Sequence, residues 1–120
     1  MKNVLIVEDS FYYYKRAGDI AKECGLEPYF AYTGKEGIAM YEKKQPDFVI
    51  MDICMPELDG LEATKEIVKK YPTAKIIICS SVGHLPIYKR QAINNGAKGF
   101  LKKDFSKTDL EEIIEELKLY

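Results

Sequence analysis

The chain has 120 residues, enough for one domain with an ordinary packed core and no second domain. Hydrophobic residues make up 47% and charged residues 31%, with a formal net charge of −1. That balance excludes the basic footprint of a nonspecific nucleic-acid binder, and apolar runs of only a few residues exclude a membrane span. Cys24, Cys54 and Cys79 stand far apart with no C-x-x-C pattern, which predicts free thiols in a reducing cytoplasm. A strand signal follows directly on Met1-Lys2-Asn3, so no secretory leader is expected.

Val4 to Val7 is a short continuous apolar run ended by Glu8-Asp9-Ser10. It reads as a buried strand with two carboxylates at its carboxyl end. Ser10 is a candidate N-cap for a helix reaching about Cys24, closed by Gly25. Tyr13, Ala17, Ile20, Ala21 and Cys24 recur on one helical face, which predicts Tyr13 as core and Tyr12 and Tyr14 as partly exposed. Gly18 lies mid-helix and implies a close approach to something unidentified. Glu27 to Tyr32 is more polar and suits an edge strand. Thr33 and Glu36 fit a capping box for a helix to about Lys44, with Ile38 and Tyr41 inward.

Phe48-Val49-Ile50-Met51 is a third buried strand that runs straight into Asp52. After Pro56 and Asp59-Gly60 a helix from about Gly60 to Lys70 presents Leu61, Thr64, Ile67 and Val68 on one face. Lys75 to Cys79 is a fourth strand ending at Ser80-Ser81, and Pro86 suits the first turn of a helix to Asn95. Lys98 to Lys102 is a fifth strand ending at Lys103-Asp104. Ser106 and Asp109 open a last helix with the stripe Leu110, Ile113, Ile114, Leu117. Five strands alternating with five helices predict an α/β fold, a doubly wound parallel sheet.

In such a sheet ligands bind at the carboxyl ends of the strands. Those ends carry Glu8 and Asp9, Asp52, Ser80 and Lys103. Three carboxylates crowded at one mouth repel unless a cation is present, and a hard divalent ion such as Mg²⁺ on oxygen ligands resolves this. Lys103 offers a point charge and Ser80 a hydroxyl for the oxygens of a phosphoryl group. Asp52 is then a candidate nucleophile for aspartyl-phosphate chemistry.

These residues, together with Asp52-Ile53-Cys54-Met55-Pro56, Asp59-Gly60, Cys79-Ser80-Ser81, Gly96-Ala97 and Gly99-Phe100-Leu101-Lys102-Lys103, resemble a response-regulator receiver domain. The resemblance is to the stand-alone chemotaxis or sporulation type and covers essentially Lys2 to Leu119. It implies the flavodoxin-like order 2-1-3-4-5, with Asp52 as phosphoacceptor. It also implies Mg²⁺ (or Mn²⁺) held by Glu8, Asp9, Asp52 and the backbone carbonyl of Cys54, and Lys103 as the phosphate-binding lysine. Ser80 and Phe100 stand at the switch positions. The implied partners are a sensor histidine kinase or a histidine phosphotransfer protein, and an output protein. The output partner would bind the face formed by Pro86 to Asn95 and Phe100 to Leu117. Direct nucleic-acid contact and membrane insertion are not expected, and the chain would act as a monomer or a phosphorylation-linked dimer.

Asp104 stands where this family usually has proline, so a trans Lys103–Asp104 peptide is expected. The same pair resembles receivers joined to helix-turn-helix domains, which leaves open an excised receiver of a larger DNA-binding regulator. A small flavodoxin-like cofactor binder is a further alternative, opposed by Glu8 and Asp9 where a phosphate-cradling loop would be needed. Cys54 and Val82 are apolar where a polar residue would assist an attacking water, which predicts slow dephosphorylation. His84, the only histidine, is expected to be exposed.

Overall fold

A computed structural model describes all 120 residues. The elements run β1 (Asn3–Val7), α1 (Phe11–Glu23), β2 (Glu27–Ala31), α2 (Gly34–Lys44) and β3 (Phe48–Met51). They continue with α3 (Gly60–Lys70), β4 (Ile76–Cys79), α4 (Pro86–Asn94), β5 (Gly99–Leu101) and α5 (Lys107–Leu117). The five strands form one parallel sheet in the order β2-β1-β3-β4-β5. β1 and β3 are adjacent, with Val7 opposite Met51, so the residues following each lie side by side at one edge.

Strand alternation divides the core in two. Leu5, Val7, Val49, Met51, Ile76 and Ile78 pack on the side of α2, α3 and α4. Val4, Ile6, Phe48, Ile50, Ile77 and Cys79 pack on the side of α1 and α5. Each central strand is buried on both faces, which is why it reads as an unbroken apolar run. No helix is long and apolar enough to cross a membrane.

Local chemistry sets most helix starts. Ser10, Thr33, Asp59 and Ser106 each accept a hydrogen bond from the third helical N–H with their side chains. The capping box expected at Ser106 and Asp109 is complete. At Thr33 it is half made: Glu36 donates its N–H to the Thr33 hydroxyl, but its carboxylate accepts from Tyr32 N at 2.8 Å. α4 has Pro86 in its first turn and no side-chain cap. Gly18 admits the ring of Phe30: a Cβ there would meet its Cζ at 2.7 Å. The chain has no cis peptide bond, so Lys103–Asp104 is trans as expected. Tyr13 is half-buried and not part of the core; it lines a small cavity with Glu8, Asp52 and Lys103.

Gly60 couples the start of α3 to the end of β3. A Cβ at Gly60 would stand 1.7 Å from the carbonyl oxygen of Asp52, a backbone contact that no rotamer change relieves. Gly60→Ala is therefore expected to lower stability by about 3 kcal/mol. Urea unfolding would measure this; an unchanged midpoint would show that the β3–α3 loop can shift freely.

Candidate functional site

Glu8 and Asp52 extend their strands by one residue, and the backbone ladder fixes both. Glu8 N donates to Ala31 O at 3.0 Å, and Asp52 N donates to Val7 O at 3.0 Å. Glu8 continues the phase of Val4 and Ile6, and Asp52 that of Phe48 and Ile50. Lys103 follows Leu101 in the same way. All three side chains therefore come to the α1–α5 side of the sheet edge. There the Lys103 ammonium lies 2.5 Å from Glu8 Oε1 and 3.1 Å from Asp52 Oδ1. Glu8 and Asp52 are 5% and 4% exposed, so the pair is removed from bulk water.

Ser10 N donates to Glu8 Oε2 at 3.1 Å, which turns the remaining carboxylate oxygen toward the start of α1. Asp9, exposed, contributes the third carboxylate: ligand atoms of Glu8, Asp9 and Asp52 all lie within 4.8 Å of one another. This donor set suits a hard divalent cation. It is all oxygen, it carries excess negative charge, and it opens to solvent at Asp9, where a metal could keep waters. Cys54 lies in the loop after Asp52 with its side chain exposed.

The electrostatics agree with crowding. Burial pushes the Glu8 carboxyl above its ordinary value of 4.5; the Lys103 hydrogen bond pulls it back only in part, and the Asp52 charge adds to the rise. Burial alone would lower the Lys103 ammonium, but the Glu8 hydrogen bond and the Asp52 charge outweigh it and raise it. Lys103 is therefore a firm cation at neutral pH.

Ser80 has the other phase. It follows Ile76 and Ile78, whose side chains face α3 and α4, and it is buried. Its hydroxyl accepts from Val82 N at 3.5 Å, a loose contact within its own loop. Phe100 is half-buried on this same side, packed against that core, with its ring 5.3 Å from the Lys89 ammonium of α4. A cavity of about 480 Å³ opens beside Ser80 and Phe100, bordered by His84, Lys89 and Lys103. His84 is exposed, as expected.

Two residues of α1 join the site unannounced by any motif. The Tyr13 ring centroid lies 4.8 Å from the Lys103 ammonium. Arg16 donates from Nη2 to Asp104 O at 3.0 Å, with its guanidinium 5.8 Å from the Phe105 ring. The available signal was Ala17, four residues after Tyr13 and in the core beneath it. A ring one turn earlier on that face must lie over the sheet's carboxyl edge.

Residues 4–115 match the family model of the response regulator receiver domain. The chain belongs to this family. It is 40% identical to the chemotaxis protein CheY of Thermotoga maritima over 114 residues, covering 94% of each chain. The structure of Vibrio cholerae chemotaxis protein CheY4 superposes with a TM-score of 0.89 at 27% identity, over 97% of this chain and 98% of that one. The CheX–CheY–BeF₃–Mg complex of Borrelia burgdorferi contains a chain that superposes with a TM-score of 0.88 at 28% identity, over 97% of this chain and 89% of that one. The protein is thus a receiver of the chemotaxis type, with the doubly wound sheet expected of it and an acidic cluster suited to a divalent ion at its mouth.

Glu8 supplies a pH test in metal-free buffer. Between pH 4.5 and its raised folded value the folded chain holds more protons than the unfolded chain, so stability falls as pH rises through that window. At pH 7 Glu8→Gln should stabilise the metal-free protein, the gain vanishing toward low pH. Added MgCl₂ should raise the melting temperature of the wild type more than that of the variant. Equal responses to MgCl₂ would separate Glu8 from the cation site.

The cysteines give a second test. Burial pushes the Cys79 thiol up to about 12, whereas Cys54 is exposed. A disulfide reagent at neutral pH should modify Cys54 in the folded protein and Cys79 only after denaturation. Reaction of Cys79 at the rate of Cys54 would contradict the packing around β4.

Proposed function

We propose that the chain is a single receiver domain that accepts a phosphoryl group on Asp52 and passes the signal to an output partner. The observation that carries this reading is the Lys103 ammonium shared between the largely buried Asp52 Oδ1 and Glu8 Oε1. A carboxylate so placed has a neighbour ready for the oxygens of an incoming phosphoryl group.

The donor is a phosphohistidine on a sensor kinase or a phosphotransfer protein. A carboxylate oxygen of Asp52 forms the new bond to phosphorus as the phosphorus–nitrogen bond breaks. The leaving imidazole nitrogen keeps that electron pair and takes up a proton. Glu8, Asp9, Asp52 and the carbonyl of Cys54 would hold Mg²⁺ (or Mn²⁺), which when bound offsets charge on the transferred oxygens. Lys103 meets one phosphoryl oxygen. Ser80, whose hydroxyl is held only by its own loop, turns toward another.

Movement of Ser80 and its loop changes the wall of the adjacent cavity, and Phe100 can turn into the space released. Lys89 follows, because its ammonium lies against the Phe100 ring. The face of α4, β5 and α5 then differs between the two states, and it is the surface offered to the output partner. The similar Borrelia burgdorferi CheY, found in complex with CheX, BeF₃ and Mg, supports a receiver that engages a partner protein. The exposed Cys54 and the apolar Val82 offer an attacking water little help, so the acyl phosphate hydrolyses slowly.

Incubation with acetyl phosphate and MgCl₂ should give a retarded band on a phosphate-affinity gel. Asp52→Asn should lose that band, and Lys103→Ala should slow its appearance by at least about tenfold. A band that persists in Asp52→Asn would move the acceptor elsewhere. Decay of the wild-type band within seconds would contradict slow hydrolysis.

A further inference from the structure

Lys103 sits at the end of β5, on a segment that turns sharply into α5 without proline. Its ammonium makes ion pairs with Glu8 and Asp52, and its side chain is only 16% exposed. Carboxylate contacts alone do not explain that confinement. The other side of the ammonium is covered by the ring of Tyr13 at 4.8 Å. Tyr13, Glu8, Asp52, Lys103 and Phe105 line one cavity of about 10 Å³, so almost no space is left between the ring and the carboxylates, although Lys103 also borders the larger cavity beside Ser80. The Tyr12 ring meets Tyr13 edge-on at 5.0 Å and buttresses it from the solvent side. One turn further along α1, Arg16 ties the backbone of Asp104 and covers Phe105. Helix α1 thus touches three consecutive residues, 103 to 105, by side chain, carbonyl and ring.

We infer that Tyr13 is a positioning residue for Lys103, its ring keeping the ammonium at Asp52 while the lysine exchanges a carboxylate partner for a phosphoryl oxygen. The inference rests on the reading of Asp52 as the phosphoacceptor. During that exchange both ion pairs are remade, and a free lysine side chain would gain rotamer entropy by swinging into solvent. The aromatic face attracts the cation without competing for the phosphoryl group, because it is neutral and leaves the N–H donors of the ammonium free for oxygen partners. Arg16 supports the same placement through the main chain, so the side chain and its root are both referenced to α1.

The test uses the full chain with acetyl phosphate and MgCl₂. Tyr13→Leu is expected to slow phosphorylation about tenfold, and Tyr13→Phe, which keeps the ring, to restore the rate to within roughly twofold of wild type. In a Lys103→Ala background Tyr13→Leu should cost nothing further, because the ring acts only through the lysine. Proton NMR supplies a readout independent of activity. The Lys103 ε-methylene resonances, identified by their loss in Lys103→Arg, should be shifted upfield in wild type and Tyr13→Phe and return to the usual position in Tyr13→Leu. If Tyr13→Leu does not fold, Tyr13→Met, similar in size and without a π face, takes its place. A fully active Tyr13→Leu, a Tyr13→Phe as slow as Tyr13→Leu, or additive losses with Lys103→Ala would each overturn the inference. A wild-type chain that takes no phosphoryl group would overturn the reading of Asp52 and the inference together. A phosphorylated wild type with an unimpaired Tyr13→Leu overturns the inference alone.

Discussion

One ammonium shared by two buried carboxylates is the interaction on which this structure depends. Glu8 and Asp52 are nearly sealed from water, where two like charges side by side are costly. Lys103 offsets that repulsion from the end of a different strand, two positions away from β3 in the sheet. Burial above all, with the Asp52 charge adding to it, still raises the Glu8 carboxyl against the pull of Lys103. What remains is a pocket with surplus negative charge, opening at Asp9, and such a pocket favours a divalent cation.

The rest of the fold serves that meeting of charges. The order β2-β1-β3-β4-β5 sets β1 against β3, so Glu8 and Asp52 become neighbours though 44 positions separate them in the chain. Gly60 lets the loop after Asp52 turn back against the Asp52 carbonyl, and Asp59 caps the helix that follows. Helix α1 closes the pocket from above with Tyr13 and steadies its far wall through Arg16.

The alternation of strand side chains also separates two jobs. Glu8, Asp52 and Lys103 belong to the α1–α5 side, while Ser80 and Phe100 belong to the side of α3 and α4. Charge is gathered on one side of the sheet edge, and the loop beside the larger cavity lies on the other. Lys103 borders both, since it pairs with Asp52 and also lines the cavity beside Ser80 and Phe100.

Much of this was legible in the residues. Unbroken apolar runs marked strands buried on both faces, and Ser10, Thr33 and Ser106 marked helix starts, because those signals depend on neighbours within one turn. Glu8, Asp9, Asp52, Ser80 and Lys103 could be grouped because every parallel strand in such a sheet ends at the same edge. Tertiary structure decided the rest. Only the folded chain shows that Tyr13 leaves the core to cover Lys103, that Gly18 accommodates Phe30, and that Arg16 reaches Asp104, 88 residues away. The physical reason is range: periodicity and capping are local properties, whereas the face a side chain meets depends on how helices settle on the sheet.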